Sequence, residues 1–251
     1  MKDEQSEDIG ISPPMARPEA DPSKARAWAA CVLAGVAAGL IGFGVGEAGH
    51  DAFQPRSVKQ HLGQGEVDRP TPETMRRAVI SNSSLAYGAW GGVLGIALGL
   101  AGGMLAGRAG RPAAGAVVGA VAAGLAGAIL PPLVVPIAHR ARFEMGVDPM
   151  IAGSASLLAM WAVVAAAASL GFAVGGRRSA FQSVVAALLG AIGGTVIYLA
   201  ASTFLYPLAE TDQPMPLVWQ ARLLARLLPA LGAAALLATV RPRVAREAVA
   251  G

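Results

Sequence analysis

Six long apolar runs limit how this 251-residue chain can fold more than any other feature. Each run reaches the length of about 20 residues that a helix needs to cross the ~30 Å hydrocarbon layer of a membrane. Five of the six contain no Asp, Glu, Lys, Arg or His. The runs cover residues 27–46, 84–107, 112–138, 150–176, 179–206 and 217–240. We therefore predict an all-α membrane protein, a bundle of about six transmembrane helices.

The composition supports this class and indicates how the helices pack. The chain is 54% hydrophobic and 14% charged, with 32 glycines and only 5% aromatic residues. Small residues allow transmembrane helices to approach closely, so we expect glycine-mediated packing. The single cysteine, Cys31, excludes an internal disulfide framework and a multi-cysteine metal cluster.

The polar segments divide the chain around a transmembrane domain at 26–242. Residues 1–25 are acidic and proline-rich, which predicts a disordered tail and a first helix retained as an anchor. Residues 47–83 form the one sizeable polar loop, which we expect outside the cytoplasm. Residues 243–251 are predicted to be a cytoplasmic tail.

The basic residues are dispersed between the apolar runs, which argues against a nucleic-acid partner and favours a role in membrane orientation. The turns at 108–111 and 177–178 and the exit at 241–243 carry arginine and no acid. Cytoplasmic loops are rich in Lys and Arg, so we predict that both termini are cytoplasmic. The basic residues of loop 47–83 make the total count on the two sides nearly even. Arginine, alanine and glycine are abundant, as in GC-rich bacteria, which indicates a bacterial cytoplasmic membrane.

Thr71, Pro72 and Glu73 have the form of a helix start, with an N-cap hydroxyl, proline at the first position and an acid in the first turn. The second helix is therefore expected to begin before its apolar run.

A glycine ladder gives the best-defined pattern. In the second run glycine recurs every fourth residue, which places one small stripe along a helix. The third run has the same spacing, so the two runs are expected to pack face to face. Oligomerisation and a sliding, gating surface remain alternatives. The ladder residues are Gly91, Gly95, Gly99, Gly103 and Gly107, followed by Gly115, Gly119, Ala123 and Gly127; shorter patterns occur at Gly35, Gly39, Gly42 and Gly46.

Arg222 and Arg226 are the ionisable residues inside the apolar runs. One interpretation is that their long side chains reach the membrane interface and pair with Glu210 and Asp212. The other is a site for an anion or a lipid headgroup.

Glu47, His50 and Asp51 cluster after the first run, and Glu47 and His50 have a spacing that could present two metal ligands. A third ligand would have to come from His61 or His139. We predict an ordinary solvated helix end, with no metal and no cofactor.

Two observations argue against an enzyme. Rhomboid-type proteases also have six helices, but Gly153, Ser154, Ala155 and Ser156 lack the final glycine of their serine motif, and no histidine follows His139. No metalloprotease or nucleotide-binding motif is present either.

A weak repeat relates Trp90 and Arg108 to Trp161 and Arg177, which suggests two hairpins derived from one unit.

The glycine-rich hairpins, the acidic stretch 207–214 and Trp219 with its two arginines resemble uncharacterised bacterial glycine- and alanine-rich multi-pass membrane proteins. This resemblance implies no activity. The architecture also resembles the substrate-binding membrane subunits of energy-coupling vitamin transporters, which dock a partner through small residues. We predict a non-catalytic structural or accessory component of the lipid bilayer, in a homo-oligomer or with another subunit; the alternative is a transporter subunit or small channel for an anion or small solute.

Overall fold

The computed structural model describes residues 22–62, 65–107, 109–207 and 213–241. Within these residues, six helices are long and apolar enough to cross a membrane. The chain is therefore a multi-pass membrane protein with the predicted all-α bundle. The helices are α1 (Pro22–Ala48), α2 (Pro72–Leu105), α3 (Arg111–Phe143), α4 (Pro149–Gly176), α5 (Ala180–Leu205) and α6 (Trp219–Ala238).

Helix α2 begins well before its apolar run, as the Thr71 motif predicts. Thr71 is the N-cap and accepts a hydrogen bond from the Thr74 backbone N–H, while the Thr74 hydroxyl accepts one from Thr71. This reciprocal pair satisfies two backbone donors at the helix end. With 34 residues, α2 is about 50 Å long. The helix is therefore longer than the roughly 20 residues that cross the ~30 Å hydrocarbon layer.

The polar loop has more structure than the sequence indicates. It contains an antiparallel hairpin of β1 (Ser57–Leu62) and β2 (Gly65–Pro70). The Asn82 side chain bonds both the N–H and the C=O of Phe53, at 2.9 and 3.0 Å, and so fixes the loop to α2.

The predicted tails are only partly described. Helix α1 starts at Pro22, so residues 22–25 are helical and do not belong to a disordered tail. Residues 1–21 and 242–251 lie outside the described residues.

Five of the helices form a closed ring in the order α1, α2, α4, α5, α6, and α3 packs outside the ring against α2 and α4. Successive helices run in opposite directions. Both ends of the described chain therefore lie on one side, the terminal face. The connections at 49–71, 144–148 and 206–218 lie on the other side, the loop face.

The glycine ladder of α2 meets the backbone of α3. A Cβ added to Gly91, Gly95 or Gly99 would overlap the carbonyl of Ala123, Gly119 or Gly115, respectively. In the same antiparallel register, Gly127 lies against the Tyr87 carbonyl, and Gly103 lies against Pro112. At each of these contacts only a hydrogen side chain fits, because the two backbones touch directly.

Gly107 does not take part in this packing. It follows the end of α2 with a φ of +65°, and an added Cβ would have no heavy atom of the described residues within 4 Å. Its glycine is required by the left-handed backbone of the α2–α3 turn. The prediction that Gly107 packs between helices is therefore wrong.

Further glycine contacts join the other helices. Gly171 of α4 lies against Gly115 and Gly119, so the backbones of α3 and α4 also meet. On α1, Gly46 has no atom of the described chain within 4 Å of an added Cβ. Other close contacts pair Gly175 with Gly99, Gly190 with Gly232, Gly194 with Leu228, Gly35 with Ala234, Gly39 with Leu227 and Gly42 with Trp90.

We expect the Gly95→Ala variant to be about 1–3 kcal/mol less stable than the wild-type protein, because its methyl group overlaps the Gly119 backbone and the helices must separate. Gly92→Ala is the matched control, since a Cβ there meets only the Ala120 carbonyl at 4.0 Å. Reversible unfolding in mixed detergent micelles measures both free energies. Equal stability of the two variants would contradict the backbone contact.

Candidate functional site

The largest fully buried side chains form one group inside the five-helix ring, to which α2, α4, α5 and α6 each contribute. We call this group the Arg226 cluster. Each of its four aromatic residues is at most 1% exposed. Its members are Tyr87, Trp90, Trp161, Tyr198 and Arg226.

Arg226 lies at the centre of this cluster. Its Cζ atom is 4.4 Å from the centroid of the Tyr87 ring and 5.7 Å from the centroid of the Trp90 ring. Such cation–π contacts are worth about 2 kcal/mol when they are desolvated. The side chain is buried in the ring with 7% exposure and contacts aromatic faces, whereas one of the two interpretations had it extend away from the bundle. The physical reason is that its face of α6 packs on the aromatic side chains of α2.

The cluster is rich in hydrogen-bond donors. Within the described part of the chain, Arg226 Nη1 and Trp90 Nε1 are buried without a hydrogen-bond partner. An indole and a guanidinium can donate but cannot accept, so these groups cannot satisfy one another. The arrangement is complementary to an acceptor, and the positive charge favours an anionic one.

Tyr87 connects the cluster to the loop face. Its hydroxyl donates a hydrogen bond to the Pro214 carbonyl at 3.1 Å. This hydrogen bond fixes Pro214, in the segment before α6, to the tyrosine that Arg226 contacts.

Arg222, one turn nearer the loop face, forms an ion pair with Glu47 of α1. Its Nη2 donates to one carboxylate oxygen at 2.7 Å and its Nε to the other. Its Nη1 donates to the carbonyls of Pro216 and Leu217, at 2.9 and 2.8 Å. The guanidinium therefore joins α1, α6 and the loop before α6. The predicted partners, Glu210 and Asp212, lie outside the described residues.

The structure does not bring the three residues considered as metal ligands together into one group. Glu47 binds Arg222, whereas His50 Nδ1 lies 3.0 Å from the Asp51 carboxylate at the exposed end of α1. The described residues contain no group of three His, Cys, Asp or Glu side chains that could hold a metal ion. His139 lies near the end of α3, with its ring centroid 4.4 Å from that of Phe143. The side chain of His61 lies outside the described part of the chain.

A second buried arginine lies toward the terminal face. Arg178 follows the left-handed residue Arg177, folds back into the bundle and is 8% exposed. Its Cζ lies 4.8 Å from the centroid of the Phe172 ring, and its Nε has no hydrogen-bond partner among the described residues. Burial lowers the pKa of Arg178, because removal from water disfavours the charged guanidinium. In the sequence, Arg178 indicated only the orientation of the chain in the membrane.

No protein-family model matches this chain, and comparisons with curated proteins and solved structures also found no match. The proposed function therefore rests on the arrangement of side chains inside the five-helix ring.

Arg222 and Arg226 were recognisable in the sequence, but the aromatic part of the site was not. One signal was available, because Trp90 and Trp161 are large rings in a chain with only 5% aromatic residues. Both indoles are buried in the core, at 0% and 1% exposure.

We expect Glu47→Gln and Arg222→Gln each to lower the free energy of unfolding by about 1–3 kcal/mol, because each leaves a charged partner with unmade hydrogen bonds. The double variant should lose less than the sum of the two single losses. The exposed pair of Arg140 and Glu144, at 2.8 Å, is the matched control and should show a coupling of about 0.5 kcal/mol or less. Additive losses at Glu47 and Arg222 in detergent unfolding would contradict a coupled pair.

Proposed function

We propose that this protein takes part in the membrane transport of a small anionic solute, as a transporter membrane subunit or a small channel, and that Arg226 binds the solute inside the five-helix ring. The single observation that carries this proposal is the buried, incompletely bonded Arg226 guanidinium. Ionisable residues that face the interior of a membrane bundle commonly mark substrate or ion pathways.

The surroundings of Arg226 support an anion more than a cation. Its neighbouring indole N–H groups are donors, and the nearest carboxylate described, Glu47, is already bound in two places by Arg222. An anion in the cluster would receive charge-assisted hydrogen bonds in a low-dielectric site, where such bonds are strong.

The segment before α6 lies next to the Arg226 cluster on the loop face. Its carbonyl groups at Pro214, Pro216 and Leu217 accept hydrogen bonds from Tyr87 and Arg222. On the terminal side, Arg178 provides a second buried positive charge inside the bundle.

We also propose that the protein lies in a bacterial cytoplasmic membrane with both termini in the cytoplasm. The described carboxylates all lie on α1, α2, α3 or their connections toward the loop face, whereas the terminal face carries basic residues without an acid in the described chain. An excess of Lys and Arg in short loops is typical of the cytoplasmic side.

A second candidate is a non-catalytic structural or accessory component, with a second copy or another membrane subunit as partner. It is supported by the outer face of α3, which exposes one continuous stripe of large apolar side chains. The stripe residues are Val117, Val121, Leu125, Ile129, Leu133 and Ile137. This candidate, like the first, requires no catalytic group.

The test of the transport proposal is anion flux into proteoliposomes, with chloride, nitrate, phosphate and acetate as probes. Saturable flux of at least one probe is expected for the wild-type protein. Arg226→Gln should reduce the apparent affinity for that probe about tenfold or more, because it removes a charge-assisted hydrogen bond. Tryptophan fluorescence gives a second readout, since Trp90 lies beside Arg226.

Arg140→Gln is the control for the loss of one positive charge, because Arg140 is 72% exposed. Arg226→Lys keeps the charge and shows whether the ring tolerates a change at this position. Absent flux for all four probes, or equal flux for the Gln variant and the wild-type protein, would contradict the transport proposal and favour the structural candidate.

A further inference from the structure

A separate cavity of about 360 Å³ opens on the loop face between α2, α3 and α4. Its volume lies within the range of small-molecule sites, roughly 300–1,000 Å³. Pro214, whose carbonyl binds Tyr87, forms part of its wall, but Arg226 does not line it. The cavity is therefore distinct from the site inside the ring.

The sequence of α3 explains why a cavity forms here. The last close backbone contact between α2 and α3 is at Gly127, and α3 has no glycine after it. Toward the loop face, Val79 of α2 and Val135 of α3 stand between the helices and line the cavity. Side chains in place of glycine keep the backbones apart.

The cavity has a positive lining. Arg76, His139 and Arg142 line it, and no Asp or Glu is among its described lining residues. Arg76 is paired with Glu73, whereas Arg142 has no carboxylate partner in the described chain and lies 5.3 Å from the Phe143 ring centroid. Arg142 is therefore available to bind an anion.

Most of the remaining wall is apolar, although Ser156 and Gln213 also line the cavity. Met75 and Val79 of α2 and Phe143 of α3 line it, and their exposed fractions are 44%, 42% and 66%. A soluble anion would leave this surface uncovered, whereas an amphiphile could cover it with a hydrocarbon chain. A basic pocket between transmembrane helices is also suited to an anionic lipid headgroup.

We propose that the cavity lined by Arg76, His139 and Arg142 binds an amphiphile with an anionic phosphate or carboxylate headgroup, such as a membrane phospholipid with net negative charge. The arginines bind the headgroup. The apolar wall contacts the adjoining hydrocarbon. The site is independent of Arg226 and of the transport proposal.

The test uses purified full-length protein in detergent, titrated with dioctanoyl phosphatidylglycerol and, separately, dioctanoyl phosphatidylcholine, and native mass spectrometry counts bound lipid. The wild-type protein should bind the anionic lipid about tenfold more tightly, because it makes charge-assisted bonds that the zwitterionic lipid does not make as well. Arg76→Gln with Arg142→Gln should remove this preference.

Arg77→Gln with Arg140→Gln is the matched control, since it removes the same charge from neighbouring positions of the same helices. Arg77 and Arg140 are 77% and 72% exposed and are not among the lining residues. This control should keep the preference to within about twofold. Arg142→Gln alone should also weaken anionic-lipid binding, and it breaks no described ion pair that could disturb folding.

Competition with inorganic phosphate distinguishes a lipid headgroup from a free phosphate ion. Failure of phosphate to compete, with the preference for phosphatidylglycerol retained, supports an amphiphile. Full displacement of the lipid by phosphate would overturn the amphiphile in favour of a free phosphate site. Equal binding of the two lipids, or equal losses in the two double variants, would overturn the anion site itself. Arg226→Gln should bind phosphatidylglycerol like the wild-type protein, so failure of the transport proposal leaves this result unaffected.

Discussion

Direct backbone contact between α2, α3 and α4 determines how the rest of this bundle is arranged. Lipid tails are as apolar as the side chains of these helices, so association depends on packing contacts more than on removal of apolar surface from water. Gly95, Gly119 and Gly171 supply that contact, because their backbones lie where a side chain would otherwise stand. Tyr87 and Trp90 of α2 are buried on another side of that helix, in the Arg226 cluster.

The two sides of α2 differ, and this difference creates the environment of Arg226. One side of α2 carries the glycine ladder and meets α3, while the other side carries Tyr87 and Trp90 and meets the arginine. A guanidinium in hydrocarbon would be costly, but aromatic faces offer it partial compensation. Its remaining donor capacity is the feature that distinguishes this ring from a passive apolar core.

The two proposed sites are close to each other but differ in chemistry. The ring interior is closed and dominated by aromatic faces and donors, whereas the cavity between α2, α3 and α4 is open and apolar with basic groups in its lining. Pro214 belongs to both surroundings, because its carbonyl binds Tyr87 and the residue also lines the cavity. An occupant of the cavity would therefore touch the residue that binds Tyr87 beside Arg226.

The sequence by itself determined the class of fold, because lengths of uncharged apolar residues fix the number of helices that can cross a membrane. It also determined the start of α2, since Thr71 and Pro72 act through local backbone hydrogen bonds, and the spacing of the glycines along α2. It could not determine which helix meets which. The partner of Arg222 is Glu47, 175 residues away, and the Arg226 cluster draws on four helices. Gly107 shows the same limit, since its spacing fits the ladder and only its φ places it in a turn. Contacts between distant parts of the chain depend on the order of helices around the ring, which periodicity along one helix does not encode.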